Sequence, residues 1–436
     1  MDRSRRRAIV RGHRSTRRTK GAVVTSAVLA GMLLARPALA LDADGFLTRG
    51  DALARPGGRA VTGIVYPQFR QCALPSITFD LRQATFDYVA GDGSVSPVSI
   101  GKDCATTGTV VVGGRVISHL DHSLTWNQIK SQNDADGLRL EFNDTAAVFD
   151  LSVEDIEDAF APRTVDGTQS NSSAKWLLDG AYFVHIRDDA IEDDDLLSGV
   201  VRDSLFDGVN RFLSARPSSG NGYSNRSMTV VVRDSLIRME AMPTEASVDG
   251  FGHGSVFKWD AAAGGVSMFD TIVYLEELPH SSLDANVFPP GEYRNVTVVL
   301  GPRFDGDGDG DRTDRDYPVA LPPGVSVTRD VAIWDDARAA WLASHGFSDG
   351  VAPAPAPTPS PSPSPSPSPS PSPAPGGTLT TKLSSVKFVV ERAADGRLTL
   401  SVGLSSAQYD RVRGILGQSV RIEQVSGVVW IVLFEI

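Results

Sequence analysis

The chain has 436 residues, 41% of them hydrophobic and 22% charged, with a formal net charge of −11. Ten of the basic residues fall in residues 1–40, so the rest of the chain carries 32 basic against 52 acidic residues, a net charge of −20. That composition excludes a disordered chain and argues against nucleic acid as a partner, because binding phosphate needs a basic surface.

In chain order, the first 20 residues are rich in arginine. An apolar stretch follows over Gly21–Ala35, and the segment ends Ala38-Leu39-Ala40. A basic region, an apolar core and a small-x-small site predict a signal peptide over 1–40, hence a secreted, periplasmic or cell-surface protein. The pairs Arg5-Arg6 and Arg17-Arg18 leave both the general and the twin-arginine export routes open. The apolar run of about 15 residues is shorter than the roughly 20 of a helical span. No second run of spanning length follows, so the chain is not expected to span a membrane. Export permits a disulfide between Cys72 and Cys104, the only two cysteines; two buried thiols are the alternative, and no CxxC motif suggests redox or metal chemistry.

Residues 41–350 form the predicted large domain. Its first part, 41–110, is punctuated by Gly and Pro and reads as a lead-in cap. Beyond it runs an irregular repeat, clearest in Val200-Val201-Arg202-Asp203-Ser204-Leu205 against Val231-Val232-Arg233-Asp234-Ser235-Leu236. A polar step recurs at Asp150, Asp179, Asp203, Asp234 and Asp270, with Asn295 as a further copy. Repeats of roughly 20–50 residues signal solenoids, propellers or arrays. The short β-rich runs and variable spacing favour stacked coils with protruding corner loops over propeller blades, which are longer and more aromatic.

The V-x-D-S/T-hydrophobic step and the run His185-Ile186-Arg187-Asp188-Asp189-Ala190-Ile191-Glu192 resemble the right-handed parallel β-helix of the pectin-lyase-like superfamily, over about 110–300. The resemblance implies an all-β domain, a right-handed parallel β-helix (solenoid), on a fold that hosts many functions. Trp334–Ser344 reads as a C-terminal capping helix packed on the last coil, with Trp334, Ala337 and Trp341 on one face and His345-Gly346 at its stop. Over 351–377 alternate residues from Pro353 to Pro375 are proline, which predicts a semi-rigid linker. Residues 378–436 read as a small α+β module. It has hairpin strands Val386–Arg392 with Arg397–Val402, a helix from Ser405 to Leu416, and strands Val420–Glu423 with Val428–Phe434. A module of this size suits binding or cell-surface contact better than catalysis.

Two acidic clusters carry candidate chemistry. Between Asp305 and Asp316 carboxylates alternate with glycine, with Gly310 at the sixth position and Asp316 at the twelfth. This resembles the calcium loop of an EF-hand without its helices, and predicts Ca2+ ligands at Asp305, Asp307, Asp309, Asp311 and Asp316 in a structural role. The second cluster has acids at six of the eight positions 188–195. In a regular strand His185, Arg187 and Asp189 face one way, and Ile186, Asp188 and Ala190 the other. Crowded carboxylates repel one another, which raises pKa values toward acid-base use.

His185, Arg187, Asp188, Asp189, Glu192 and Lys258 are therefore the candidate catalytic residues. The Asp-Asp pair with Gly252-His253-Gly254 is similar to the polygalacturonase branch of the superfamily. The Asn-Thr-Asp and Arg-x-Lys motifs of that branch are absent, so its activity is not carried over. The expectation is a secreted β-helix protein that binds or degrades an extracellular polysaccharide, by lyase- or glycosidase-type chemistry if it is an enzyme. The alternative is a non-catalytic adhesin or structural β-helix protein tethered through 378–436.

Overall fold

A computed structural model of the chain describes residues 41–347 apart from 56, 66–67, 73–74, 89–95, 103, 105–106, 133–134, 166–172, 218–221, 246–249, 278–287, 305–316 and 318–319, and five strands within 378–435. The expected signal peptide over 1–40, the calcium loop at Asp305–Asp316, the linker over 351–377 and the helix from Ser405 to Leu416 lie outside the described residues. The chain divides into two units, Met1–Ala356 and Pro357–Ile436.

In the first unit, short runs of β-branched and aromatic residues alternate with Gly, Asp and Asn, and the runs become strands that pair in parallel. The pairs fall into three ladders. The first steps from Arg59–Val65 through Thr78–Asp87, Thr109–Val112, Thr145–Phe149, Lys175–Asp179, Ser198–Arg202 and Asn225–Arg233 to Ala263–Leu275, Tyr293–Leu300 and Val325–Thr328. The second joins Phe69–Gln71, Val98–Ile100, Asp136–Phe142, Asp158–Thr164, Tyr182–Glu192, Leu205–Ala215 and Phe257–Trp259. The third runs through Arg115–Ile117, Ser152–Glu154 and Leu236–Met239, using the long strands Thr78–Asp87, Tyr182–Glu192, Leu205–Ala215 and Ala263–Leu275 that also serve the other ladders. Because Thr78–Asp87 and Ala263–Leu275 each belong to both the first and the third ladder, the pairing closes on itself as a ring of twelve parallel strands, barrel-like in its connectivity.

All three ladders feed one interior. Phe160, Trp176, Phe183, Phe206 and Phe212 are fully buried in a single cluster. Edge-to-face contacts run Phe183–Phe206 at 5.3 Å, Phe206–Phe212 at 4.9 Å and Phe160–Trp176 at 5.9 Å. The best sequence repeat consists of adjacent strands in register, with Val200 beside Val231, Arg202 beside Arg233 and Leu205 beside Leu236. The recurrent polar residue is the corner between ladders. Asp150, Asp203, Asp234, Asp270 and Asn295 have φ of 53°, 46°, 50°, 49° and 53°. Asp and Asn tolerate this left-handed conformation better than other side chains. Asp179 is the exception: the corner there falls one residue later, on Gly180, at φ 69°.

Two expectations about the ends change. The lead-in region is largely part of the sheet, since strands begin at Arg59, and 41–55 precedes them. That segment, with helix α1 (Arg49–Leu53), packs Phe46, Leu47 and Ala52 on the outer side of the first ladder. The ion pairs of Arg202 and Arg233 with Asp44 hold it there, which gives these two repeated arginines a structural role.

The C-terminal helix, α3 in chain order (Ala332–Ser344), forms as expected and stops at Gly346 with φ 75°. Its apolar face meets the side of the third ladder and not the last coil of the expected solenoid. Trp334, Trp341 and Leu342 lie against Tyr182, Leu205 and Leu236 on the outer side of the third ladder, because those strands present apolar residues outward. Trp334 stacks on Tyr274 at 5.7 Å. Cys72 and Cys104 are joined in a disulfide.

The second unit has five antiparallel strands in the order Thr378–Leu383, Val386–Arg392, Leu398–Leu404, Val429–Glu435 and Arg421–Val425. Both expected hairpins are present, and Thr378–Leu383 adds a strand that the turn pattern did not mark. Among the described residues, no helix is long and apolar enough to cross a membrane.

Candidate functional site

The second ladder carries a dense patch of charge on its outer side. Parallel register sets the rows. Asp136 lies beside Asp158, Asp189 beside Arg211, and Glu192 beside Ser214, which lies beside Lys258. The Asp189 amide donates to Asp158 Oδ1 at 2.8 Å, linking strands whose residues are 31 apart in sequence.

The Asp-Asp pair departs from regular alternation. The register shifts between Ile186 and Asp189, where two residues of one strand, Arg187 and Asp188, face one of its neighbour, Asn210. Such a bulge puts consecutive side chains on one side. Asp188 therefore joins Asp189 in the charged patch, while Ile186, Ala190 and Ile191 all enter the core. Asp188 pairs with Arg211 and lies 3.6 Å from Lys130; Asp189 accepts from Lys258 Nζ at 2.8 Å. Arg163 binds Glu192 and lies 3.4 Å from Asp194.

The six sequence-derived candidates thus separate into two groups. Asp188, Asp189, Glu192 and Lys258 converge. His185, itself at φ 53°, turns away to Glu240, with Nδ1 to Oε2 at 2.7 Å, and its ring lies 4.9 Å from that of His122. Arg187 donates to the Leu124 carbonyl at 2.9 Å and anchors the loop before helix α2 (Trp126–Gln132). That helix flanks the patch: Lys130 reaches Glu157 at 3.0 Å, and the Trp126 ring lies 5.7 Å from the Arg211 guanidinium. His253 is fully buried, and the Gly254 amide donates to the Asn210 carbonyl. A Cβ at Gly254 would stand 2.5 Å from Arg211 Cγ, so the Gly-His-Gly step makes room for Arg211 and does not present a solvent-facing base.

Sequence reasoning missed Asp136, Asp158, Arg163, Arg211 and Lys130. A signal for Asp158 was present. It precedes Asp189 by the same 31 residues that separate Asp203 from Asp234, the clearest repeat.

Burial and crowding set the protonation states. Burial raises the Asp158 carboxyl well above the usual range, and the charges of Glu192, Asp188, Asp189 and Glu157 raise it further. Among the described residues no salt bridge reaches it. Burial likewise raises Glu192 to about 8 despite the Arg163 charge, and raises Asp189 despite Lys258. Burial pulls the Lys258 ammonium down, but Asp189 and Asp188 outweigh it and keep it protonated. The arrangement places carboxyl groups of raised pKa beside fixed cations, an environment that suits proton donation. Glu192 and Lys258 keep side-chain exposures of 18% and 25%, whereas Asp158, Asp188 and Asp189 lie beneath them.

Asp136, Asp158 and Glu192, and equally Asp158, Asp188 and Asp189, each bring one carboxylate oxygen per residue within 4.8 Å of one another. Asp189 Oδ1 is buried without a hydrogen-bond donor among the described residues. Either set has the oxygen ligands that suit a hard divalent cation.

Comparison with family models, with curated proteins and with solved structures gave no match.

Proposed function

We propose that the protein is a secreted parallel β-helix that binds or degrades an extracellular polysaccharide, with the charged patch of the second ladder as its site. In this reading the three ladders are the three faces of a right-handed coil of the pectin-lyase-like kind. Residues paired along a ladder lie 20 to 44 positions apart in sequence, the length of one coil in repeat architectures. One observation carries the functional reading: Asp158, Asp188, Asp189 and Glu192, from neighbouring strands, converge with Arg211 and Lys258.

Glycosidase-type chemistry fits this set better than lyase chemistry. Hydrolysis of a glycosidic bond needs a carboxylic acid that donates a proton to the leaving oxygen and a second carboxylate. Glu192, with its pKa raised to about 8 and its side chain reaching the surface, suits the donor. A lyase needs an unprotonated base, and Lys258 is held protonated by Asp189. The depth of Asp158, Asp188 and Asp189 favours the second reading, a non-catalytic adhesin or structural protein tethered through 378–436. The calcium loop at Asp305–Asp316 stays part of the proposal, as a structural site.

The purified protein, with and without calcium, should release new reducing ends from at least one member of a panel of neutral and uronate-containing glycans. Asp158→Asn and Glu192→Gln should each lower that rate by about a hundredfold, the usual scale of general-acid catalysis. Retention of a glycan without cleavage would move the account to the binding reading. Unchanged rates in both variants would remove the patch from the chemistry.

A further inference from the structure

Away from the charged patch, the corner between the first and third ladders holds a cavity of about 690 Å3. That volume lies within the roughly 300–1,000 Å3 of small-molecule sites. Its floor is a row of stacked corners, Gly113-Gly114, Asp150, Gly180 and Asp203, all with left-handed backbone. Gly180 is required there: a Cβ would come 2.7 Å from the Asp150 carboxylate that reaches across it. The start of α1 closes one wall with Thr48 and Arg49. The end of α3 closes the other with His345 and Phe347, whose rings stack on Trp341.

We propose that this trough binds a neutral, hydroxyl-rich ligand, a short oligosaccharide. The charges that line it are paired. Arg49 is bonded to Asp150, Arg202 to Asp179 at 2.8 Å, and Arg115 to Glu154 at 2.9 Å. An anion in the trough would be opposed by Asp150, Asp179 and Asp203, and a cation by the guanidinium groups. A sugar hydroxyl is both donor and acceptor. It satisfies an arginine–carboxylate pair from both sides: Arg49 and Arg115 each have one carboxylate partner, which uses only some of a guanidinium's five N–H groups, whereas Arg202 already shares its donors among Asp179, Asp42 and Asp44. The aromatic wall of His345 and Phe347 offers an apolar face to a sugar ring, and Thr85 and Ser152 add hydroxyls along the floor. The ligand class extends the carbohydrate reading given above, but the site stands apart from the charged patch and depends on none of its residues.

Calorimetric titration of the full chain with cellotriose, maltotriose and mannotriose, and with trigalacturonate as the charged counterpart, tests this. At least one neutral probe should bind at a single site. Thr85 lies beside Arg115 in register, so Thr85→Trp fills the trough; Arg49 is exposed, so Arg49→Ala removes donors without disturbing the core. Each should weaken binding at least about tenfold, whereas Arg226→Ala, at an exposed position that lines neither the trough nor the charged patch, should leave it unchanged. If Thr85→Trp fails to fold, Arg49→Ala decides alone. The proposal is overturned by the absence of binding to all three neutral probes, by preference for trigalacturonate, by unchanged affinity in either folded trough variant, or by loss of binding in Arg226→Ala. Because the probes are read by binding and not by cleavage, an inactive charged patch leaves this result interpretable.

Discussion

Replacing Arg163 by methionine is expected to destabilise the protein by about 3 kcal/mol at pH 9, where Glu192 is ionised, the scale found when one partner of a buried ion pair is removed. Arg163 is 11% exposed and sits between Glu192 and Asp194, within the field of Asp136 and Asp195. Methionine fills much of the volume, so the loss is mainly electrostatic: crowded carboxylates are left with one fewer cation. Glu192 can partly relieve the strain by holding its proton to higher pH, so the penalty should shrink at pH 5.5. Urea unfolding checks this. The double variant Arg163→Met, Glu192→Gln should recover about half the loss, because the two residues are in contact and their effects do not add. A single-variant loss below about 1 kcal/mol would place the pair with ordinary surface ion pairs.

The protein, stripped of divalent ions by a chelator, should become more stable as the pH falls from 8.5 to 5.5. Burial raises Glu192 and Asp193 to about 8, and raises Asp158 and Asp189 in the same direction. Asp193 is fully buried, accepting from the Trp176 indole at 3.3 Å and from the Leu197 amide. A carboxyl whose folded pKa lies above its unfolded value takes up a proton on folding. Its folded state is therefore penalised progressively as pH rises from the unfolded pKa, near 4, to the folded one, and relieved as pH falls.

His185 acts in the same sense: its bond to Glu240 raises its pKa, giving stability that is present below about 6.5 and lost as pH rises through the folded value. The groups with lowered pKa, Glu240 and Asp80 among them, lose their contribution only below their unfolded values near 4, outside this window. Each raised carboxyl accounts for on the order of a few kcal/mol. The melting temperature should rise by several degrees across the interval; a flat or falling curve would mean that these carboxyls are ionised in the folded protein.

Much of the architecture was legible because it repeats. The Val-Val-Arg-Asp-Ser-Leu copies marked strands that pair in register, and the recurring Asp marked corners where the backbone turns left-handed. The α3 face of Trp334, Ala337 and Trp341 was legible from helical spacing, but its partner was not. Tyr182, Leu205 and Leu236 sit at positions that alternation alone does not assign to an outer apolar face. The candidate site was half legible. The run of acids at 188–195 drew notice as a local anomaly, yet the bulge between Ile186 and Asp189 cannot be read from alternation. Arg163 and Arg211, on either side of the acidic strand, become its counter-ions only once the parallel strands are paired in register. His185 and Arg187, neighbours of the acids in sequence, leave them in space because the left-handed turn at His185 and the following bulge redirect their side chains.

The most direct test of the account is an infrared difference spectrum, wild type minus Asp158→Asn, recorded at pH 7 in the presence of chelator. If the convergence of buried acids around Asp158 holds a proton there, the difference will contain the carbonyl stretch of a protonated carboxylic acid, which will disappear only at a pH well above the ordinary carboxylate range. A difference showing instead the paired stretches of an ionised carboxylate would contradict the protonated, acid-donating site on which the proposed chemistry is built.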